Sequence, residues 1–547
     1  MAETSNKKGT LRLNGTPVSP GLARGPLVFL GELTTTNKTR KRGSVKQELA
    51  LLHAALDGAR DELATLMART EDADAEAIIA FQVAMLEDDV VTGPALKAIE
   101  DGAIAEEAWV ATMELQVREY HEADDLYFRA RAADLRDMRD RVLRRLSGTI
   151  TETVPSGAIV VANDLPPSRF LEIAWDGGGA ALFEGSPNSH VAMLARARGV
   201  PMIVGMQRAK LSGGHEAILD AENGTLIVSP DSSTAAEFET RQQMIETLRV
   251  QEAQYLESPA RMGNGERVMA LINVADGSEL DKIDIEHCDG VGLVRTEFLL
   301  RTKEDLFDEE KQYRSYRHIL EWAKGKPVTI RTLDAGGDKP IPGYTIDAEA
   351  NPFLGVRGVR LSLLHPEVLT TQLRALARAA ALGPLKVMIP MVTGPRELDH
   401  VRSILEATVS NLRHAGITCA MPALGMMVEV PATAVTIDLF DSEFYSIGSN
   451  DLIQYVTACS RDSSQLSALQ DPLQPAVLRL IRKVVEHANK NGIDVSLCGD
   501  MASDVRCVSA LLDMGLRCLS VAPAALGRIK SAIAHHQGVV ARGGRVA

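Results

Sequence analysis

The chain has 547 residues, enough for several domains with large apolar cores. Apolar residues make up 45% and charged residues 24% of the sequence, which is the composition of an ordinary globular protein. The net charge of −14 argues against nucleic acid as the main partner and favours a basic protein, and any anionic substrate would need local arginines or lysines.

The first residues are polar and lack the apolar core of a signal peptide, and no apolar run is long enough to span a bilayer. Between residues 10 and 30, glycine and proline separate apolar runs, which predicts a strand, a turn and a strand. From Ser44 the apolar spacing becomes that of a helix, and Ser44 and Gln47 fit a capping box. Further helices are predicted at about 75–90 and 103–146.

These helices are interpreted as an inserted helical subdomain over residues 35–147. The insert is rich in acidic side chains, which include Glu71, Asp72, Asp74, Glu87, Asp88 and Asp89. Such charges are typical of a solvated face, and they also suit a docking surface for a basic partner. The sequence leaves both interpretations open.

Short strand and helix patterns return after Pro155. Residues 1–34 and 148–231 are therefore predicted to form one α/β domain around the insert. Residues 232–260 are polar with helical spacing, as expected of a linker, and residues 261–547 form the last predicted domain.

One segment of the α/β domain, "GSPNSHVAMLARARGVPMIVG" over residues 185–205, places a histidine at the start of a helix. Ser189 is a favourable N-cap residue directly before His190. The free N–H groups at a helix N-terminus stabilise an anion. His190 could therefore carry a phosphoryl group, although a polar residue beside a cap would look the same.

The second half of the chain contains eight apolar runs with helical patterns or long loops between them. They are "RVMALINV", "GVGLVR", "PVTIRTLD", "KVMIPMV", "ALGMMVE", "EFYSIGS", "IDVSLCG" and "RCLSVAP". This alternation predicts a (β/α)₈ barrel, with an open doubly wound sheet as the alternative. In such a barrel the active site forms at the carboxyl ends of the strands.

Charged and polar residues recur where these runs end. They are Arg295, Arg331, Asp334, Glu429, Asn450, Asp451 and Cys498, with Arg357, Arg360 and Arg461 nearby. Glu429 and Asp451 could share one Mg²⁺, which prefers oxygen ligands and often bridges to substrate phosphate. Several arginines at one rim suit a substrate with several negative charges.

The six cysteines all lie in the second half and form no CxxC pair, which favours reduced thiols in a cytoplasmic protein. Cys498 stands out among them because it ends a predicted strand. A thiol there would be mostly protonated at neutral pH and could donate a proton.

These motifs resemble the enzyme I family of the phosphoenolpyruvate-dependent sugar phosphotransferase system, over nearly the whole chain. The barrel segments that carry the resemblance are "GVGLVRTEFL", "RTLDAGGDKP", "NPFLGVRGVR", "VEVPA" and "GSNDLIQY". The segment "SHVAMLARARGVPMIVG" resembles the family's phosphohistidine segment. The resemblance implies a phosphotransferase that moves the phosphoryl group of phosphoenolpyruvate to His190 and then to the carrier protein HPr, releasing pyruvate.

The resemblance also implies roles for the barrel residues. Arg295, Arg331 and Arg461 match arginines that bind the substrate phosphate, and Asn450 and Asp451 match a pair that contacts it. Glu429 and Asp451 match ligands of Mg²⁺, with Mn²⁺ as a substitute, and Cys498 matches the acid that protonates the enolate. HPr would dock on the insert, the His190 domain would swing to the barrel, and the barrel would form a homodimer.

The chain departs from the family pattern in three loops. Residues 185–190 read Gly-Ser-Pro-Asn-Ser-His where the family usually has Gly-Gly-x-Thr-Ser-His, so Pro187 stiffens the loop. Ser460, Asp462 and Ser463 flank Arg461 in place of the usual Asp-Arg-Gly-Asn. Asp500 and Ser503 replace a glutamate and a glycine after Cys498.

The departures spare every residue with a direct role, so we expect an active enzyme with altered rate or partner preference. A regulatory homologue that binds phosphoenolpyruvate or the carrier but turns over slowly is the alternative. The related dikinases and synthases need an ATP-binding domain, for which the residues before His190 leave no room. A nitrogen-regulation paralogue would carry a sensory domain before residue 10.

Overall fold

The computed structural model describes residues 10–30, 41–70, 73–122, 126–148, 153–187, 189–209, 211, 213–275, 277–337, 339–346, 349–460, 466 and 469–538. The chain divides into two compact units, Met1–Met244 and Ile245–Ala547. The division falls inside a helix that runs from Ser232 to Gln254, within the predicted linker.

The first unit contains an eight-stranded sheet. Its strands are β1 (Leu11–Asn14), β2 (Thr16–Ser19), β3 (Leu22–Leu30), β4 (Ile159–Ala162), β5 (Gly179–Leu182), β6 (Met202–Val204), β7 (Glu216–Asp220) and β8 (Thr225–Val228). The strand order is β1-β8-β7-β3-β4-β5-β6-β2, and β3 to β6 are parallel. Strands from before and after the insert thus share one sheet, as predicted.

Five α-helices are described between β3 and β4, in the insert. They are α1 (Val45–Ala68), α2 (Ala73–Glu87), α3 (Asp89–Glu100), α4 (Ala105–Glu122) and α5 (Leu126–Ser147). In α1 the capping box of Ser44 and Gln47 is formed, and the predicted apolar stripe, including Leu52, Leu56 and Leu63, is buried. Burying such a stripe contributes roughly 1.5–3 kcal/mol for each large side chain.

The prediction of one helix over 103–146 is wrong, because two separate helices, α4 and α5, occupy that range. Helix α3 was not predicted, and it contains Gly93 and Pro94, two residues that usually weaken a helix. Pro94 lies inside α3, so the helix forms although one hydrogen bond of its backbone ladder, to the Val90 carbonyl, is missing. Two further helices follow in this unit, α6 (Pro167–Glu172) and α7 (His190–Arg198), and α8 (Ser232–Gln254) crosses the boundary.

The second unit is a closed barrel of eight parallel strands. They are β9 (Met269–Val274), β10 (Val291–Arg295), β11 (Val328–Arg331), β12 (Leu385–Ile389), β13 (Ala423–Val428), β14 (Phe444–Gly448), β15 (Asp494–Cys498) and β16 (Cys518–Val521). Each predicted apolar run supplies one strand, and pairing of β16 with β9 closes the barrel, which excludes the open sheet. The predicted fold class is confirmed.

Ten α-helices lie in the described part of the barrel unit. They are α9 (Lys303–Phe307), α10 (Glu309–Trp322), α11 (Val359–Leu364), α12 (Pro366–Ala379), α13 (Pro395–His414), α14 (Pro431–Val435), α15 (Ser449–Thr457), α16 (Pro475–Asn491), α17 (Val505–Asp513) and α18 (Leu526–His535). No described helix of the chain has the length and apolar character needed to cross a membrane. All six cysteines are free.

Candidate active site

The predicted barrel residues meet at one rim. Arg295 and Arg331 are the last residues of β10 and β11, and Cys498 is the last of β15. Glu429 follows β13 directly, and Asn450 and Asp451 open α15 after β14. Because the carboxyl ends of parallel strands share one edge of a barrel, these residues form one site. Arg461 lies outside the described residues.

Arg331 lies in a buried network of charges. Its Nη2 donates to Oε1 of Glu297 at 2.5 Å, and its Nη1 lies 3.1 Å from Oδ2 of Asp334. Lys339 Nζ donates to the same Glu297 oxygen at 2.7 Å. Burial lowers the pKa of the Arg331 guanidinium, but the charges of Glu297 and Asp334 outweigh burial and raise it. Arg331 is therefore a fixed positive charge.

Arg357 links this network to the predicted metal ligand Asp451. It is 0% exposed, donates from Nη2 to Asp334 at 2.9 Å and from Nη1 to Oδ1 of Asp451 at 3.0 Å. The sequence placed Arg357 near the rim but gave it no partner. Arg360, the other arginine of that motif, lies apart from the network and donates to Thr393 at 3.0 Å.

Arg295 differs from Arg331 and Arg357 because it forms no ion pair within the described part of the chain. It is partly exposed at the end of β10. Its guanidinium thus keeps its donors for an incoming anion, which it can bind with two parallel hydrogen bonds. The arginines at the rim are therefore of two kinds. Arg295 is available to bind a ligand, whereas Arg331 and Arg357 are paired with carboxylates.

Among the described residues Glu429 forms no ion pair, although the charges of Arg331 and Arg357 act on it. It is buried, and Oε1 accepts a 2.7 Å hydrogen bond from the Met391 N–H. Burial, together with the charges of Asp451 and Asp334, raises the pKa of Glu429 to about 8. A Cβ on Gly448 would come within 2.9 Å of Glu429, so only glycine fits there without displacement.

The pair Glu429 and Asp451 suits a divalent cation. The positive charge of such an ion would offset the neighbouring negative charges that raise the pKa of Glu429. In the described residues no group of three or more His, Cys, Asp and Glu side chains is placed to hold a metal. Two protein carboxylates match a hard cation that keeps several waters and binds substrate oxygens. The residues present therefore fit such an ion.

Cys498 points into a small apolar cluster inside the barrel with Leu293, Met388, Met427 and Phe444. Burial raises the pKa of its thiol, so Cys498 stays protonated at neutral pH. The thiol donates weakly to the carbonyl oxygen of a residue in β14, at 3.5 Å. The protonated state is the one that a proton donor needs, and the role of Cys498 as that donor stays a prediction.

Asn450 is held by the loop after Cys498. Its Nδ2 donates to Oδ2 of Asp500 at 3.1 Å, and its Oδ1 accepts from the Asp500 N–H at 2.9 Å. Ser449 Oγ donates to the Cys498 carbonyl oxygen at 2.8 Å. Asp500, one of the departures from the family pattern, thus orients the Asn450 amide.

His190 lies in the other unit, at the first position of α7. Ser189 caps the helix by accepting from the Ala192 N–H at 3.4 Å, as predicted, and its φ and ψ are extended. The His190 side chain is 20% exposed. The other described site residues all belong to the barrel unit.

Two site residues were missed from the sequence. Glu297 lies two residues beyond Arg295, just after the end of β10. An acidic residue so close to a strand end was the available indication that Glu297 belongs to the site. Asp134 of α5 lies beside His190 and was not among the acids singled out in the insert. Asp134 directly precedes Leu135, which is buried in α5. This position next to an apolar core residue was the available indication that Asp134 is buried too.

Three family models match the chain in order. The model of the N-terminal part of PEP-utilising enzymes matches residues 14–131. The model of their mobile domain matches residues 154–224, and the model of their PEP-binding domain matches residues 249–538. The last match covers more than half of the chain. The chain therefore belongs to the PEP-utilising enzymes, a family that uses a divalent metal.

Within that class the chain belongs to the phosphoenolpyruvate-protein phosphotransferases, the enzyme I family. It is 33% identical to the one of Priestia megaterium in an alignment of 543 residues that covers 96% of this chain and 94% of that protein. It is 34% identical to that of Geobacillus stearothermophilus over 92% of this chain and 89% of that one. It is also 34% identical to the one of Bacillus subtilis, over 92% of this chain and 91% of that protein.

Proposed function

We propose that the chain transfers the phosphoryl group of phosphoenolpyruvate to its own His190 and then to a histidine of an HPr-type carrier, with release of pyruvate. Its family makes the chain a phosphoenolpyruvate-dependent phosphotransferase. The observation that supports His190 as the acceptor is its place, partly exposed, at the capped N-terminus of α7. Helix N–H groups there stabilise the added phosphate.

At the barrel rim, Arg295 and Arg331 would bind the phosphate of the substrate, together with Asn450 and Asp451. Arg461, which lies outside the described residues, is proposed to bind the same phosphate. Glu429 and Asp451 would hold Mg²⁺, or Mn²⁺ in its place. When bound, this cation supplies positive charge to the phosphate oxygens. Phosphoryl transfer depends mainly on such positioning and charge stabilisation.

His190 attacks the phosphorus through a ring nitrogen, the bond to the enolate oxygen breaks, and the electron pair leaves with the enolate of pyruvate. Cys498 then donates its thiol proton to the enolate carbon, and the thiolate takes a proton back from water. The raised pKa of Cys498 keeps that proton available. Exclusion of water by the apolar cluster around the sulfur favours this directed transfer.

We expect phosphoenolpyruvate and Mg²⁺ to add one acid-labile phosphoryl group to the full chain, and His190→Ala to lack it. Ser189 still caps α7, so the changes at Ser186, Pro187 and Asn188 should spare the chemistry, although Asn188 lies outside the described residues. Pro187 should instead slow turnover with the carrier. Intact-mass analysis before and after acid treatment measures the phosphoenzyme.

Two results would contradict the proposal. One is a wild-type chain that gains no phosphate, which would favour the regulatory homologue. The other is an acid-stable phosphate that persists in His190→Ala. His215→Ala is the control, because His215 lies in the same unit on the loop before β7. That variant should be phosphorylated like the wild type.

We propose that the carrier docks on the acidic insert. Glu71, Asp72 and the side chain of Asp74 lie outside the described residues. At the junction of α2 and α3, however, Glu87, Asp88 and Asp89 are exposed, next to Val90, which is 78% exposed. Three consecutive exposed acids suit docking of a basic surface.

Reversing charges at this junction should weaken the carrier complex. Asp88 must be kept, because it caps α3 by accepting from the Val90 N–H at 2.8 Å. We expect Glu87→Lys with Asp89→Lys to raise the Kd for HPr about tenfold, with less effect at high salt. Titration calorimetry at two salt concentrations measures this.

The matched control reverses two exposed acids outside the insert, Glu237 and Glu257, and should leave the Kd unchanged. Equal affinity for the insert variant and its control would exclude this junction as the electrostatic docking site. A homodimer formed through the barrel is also proposed, and sedimentation of the full chain tests it.

A further inference from the structure

The hydroxyl of Tyr455, which lies one helical turn after Asp451 on α15, joins two parts of the barrel rim. It donates to the carbonyl oxygen of Phe353, in residues 351–355, which we call the rim loop. It also accepts a 3.4 Å hydrogen bond from Nη1 of Arg357, the nitrogen that donates to Asp451 at 3.0 Å. The carboxylate, the guanidinium, the hydroxyl and the carbonyl thus form one continuous chain of hydrogen bonds, in which each bond polarises the next.

The hydroxyl keeps its direction because it stays protonated. Burial raises the pKa of Tyr455 to about 12, and the charge of Arg357 only partly offsets this effect. A carbonyl oxygen can only accept, so the phenolic proton points to Phe353 and an oxygen lone pair faces Arg357. The bond to the rim loop is therefore present throughout the neutral pH range.

This bond is important because the rim loop and α15 are separated by a cavity. The cavity has a volume of about 390 Å³ and is lined by residues 350–354 together with the carboxyl end of α15. Side chains that face a cavity lose dispersion contacts on that side, so packing holds the two segments together weakly. Leu354 of the rim loop is 66% exposed. Arg360 fastens the end of the loop by donating to the Gly355 carbonyl at 3.1 Å, and Tyr455 supplies a direct bond to α15.

Phe353 connects the rim loop to the buried charges. The guanidinium carbon of Arg357 lies 5.9 Å from the centre of the Phe353 ring. A Cβ added to Gly337 would lie 3.5 Å from the same ring, so Phe353 also lies beside the turn that leads to Lys339. A displaced rim loop would therefore loosen the arginine that pairs with Asp451.

We propose that Tyr455 is a positioning residue whose hydroxyl holds the rim loop in place, so that Arg357 keeps Asp451 in the orientation that binds the divalent cation. This inference rests on the proposed role of Asp451 as a metal ligand. Tyr455 acts here through Arg357 and is not itself a ligand or an acid. Its loss should therefore weaken binding of the cation and raise the KM for phosphoenolpyruvate while kcat changes little.

Tyr455→Phe removes the hydroxyl and keeps the ring. We expect the Kd of the full chain for Mn²⁺, measured by titration calorimetry, to rise about tenfold, the size expected when a hydrogen bond to a charged group is lost. At a fixed, low Mn²⁺ concentration the KM should rise while kcat stays within about twofold of wild type, and saturating Mn²⁺ should restore the KM. Hydrogen exchange without metal should be faster in the peptide over residues 349–357.

Tyr445→Phe is the matched control. Tyr445 lies on β14 of the same barrel, is fully buried, and its hydroxyl has no hydrogen-bond partner among the described residues. Removing that hydroxyl should leave the Kd, the KM and the exchange of the rim loop unchanged. Because both variants lose one phenolic oxygen, a difference between them reports the hydrogen bonds of Tyr455.

An equal Kd for Mn²⁺ in the two variants would overturn the inference, even with faster loop exchange in Tyr455→Phe, since the hydroxyl would then have a structural role alone. A raised Kd without faster loop exchange would also overturn it, because the effect would not pass through the rim loop. A wild-type chain that neither binds Mn²⁺ nor gains a phosphoryl group would instead contradict the proposed function, and that failure appears before any variant is compared.

Discussion

Glu429→Gln should abolish pyruvate release from phosphoenolpyruvate while the barrel stays folded. Glutamine has nearly the shape of the carboxylate and keeps an oxygen for the Met391 N–H, which Glu429 now accepts at 2.7 Å. It lacks the negative charge that a divalent cation needs as a ligand. Losing several kcal/mol of charge stabilisation on the phosphate corresponds to a rate loss of about 10²-fold or more.

Pyruvate release measures the rate, titration calorimetry measures Mg²⁺ and Mn²⁺ binding, and far-UV circular dichroism checks the fold. The matched control is Glu443→Gln, because Glu443 also accepts a backbone N–H, that of Leu424 at 2.9 Å, at the opposite end of β13. It should keep full activity. Full activity of Glu429→Gln, or of wild type in excess chelator, would exclude Glu429 as a metal ligand.

Arg357→Met should lower the free energy of unfolding of the barrel by about 3–5 kcal/mol, the usual result of removing one partner of a buried ion pair. Arg357 is fully buried and is the ion-pair partner of Asp451. Methionine has a similar length and apolar stem, so the loss reports mainly the uncompensated charge of Asp451, because Asp334 keeps Arg331 as a partner. Hydrogen exchange of barrel peptides in the full chain, without added metal, measures the change.

Arg317→Met is the control, because Arg317 forms an exposed pair with Glu321 one turn along α10, at 2.7 Å. Exposed pairs of this kind contribute about 0.5 kcal/mol or less. If Arg357→Met cost no more than this control, the buried network would not stabilise the barrel.

Local patterns were sufficient to predict most of the architecture. The eight apolar runs became the eight strands of the barrel, and the serine before His190 became the cap of α7. Both depend on neighbours within a few residues: burial on both faces makes a strand apolar throughout, and a cap needs only the next turn. Residues at strand ends could be grouped because the rule for parallel barrels places them at one rim.

The insert shows where local patterns fail. Helix α3, which contains Gly93 and Pro94, was not predicted. The helical spacing over residues 103–146 predicted one helix where the structure has two, α4 and α5. Propensity is a weak guide there, because packing against neighbouring helices decides where each helix of the insert begins and ends.

The sequence by itself thus determined the barrel, the interrupted α/β domain, the family and the residue types at the rim. Only the tertiary structure decided their partners: Glu297 with Arg331, Arg357 with Asp451, and Asp134 with His190. Asp134 and His190 lie 56 residues apart on different helices, and no local period relates them. A charged side chain can be exposed to solvent or buried as a partner of another group, depending on which segments pack over it. Those segments are distant in sequence, so only the tertiary structure decides between the two.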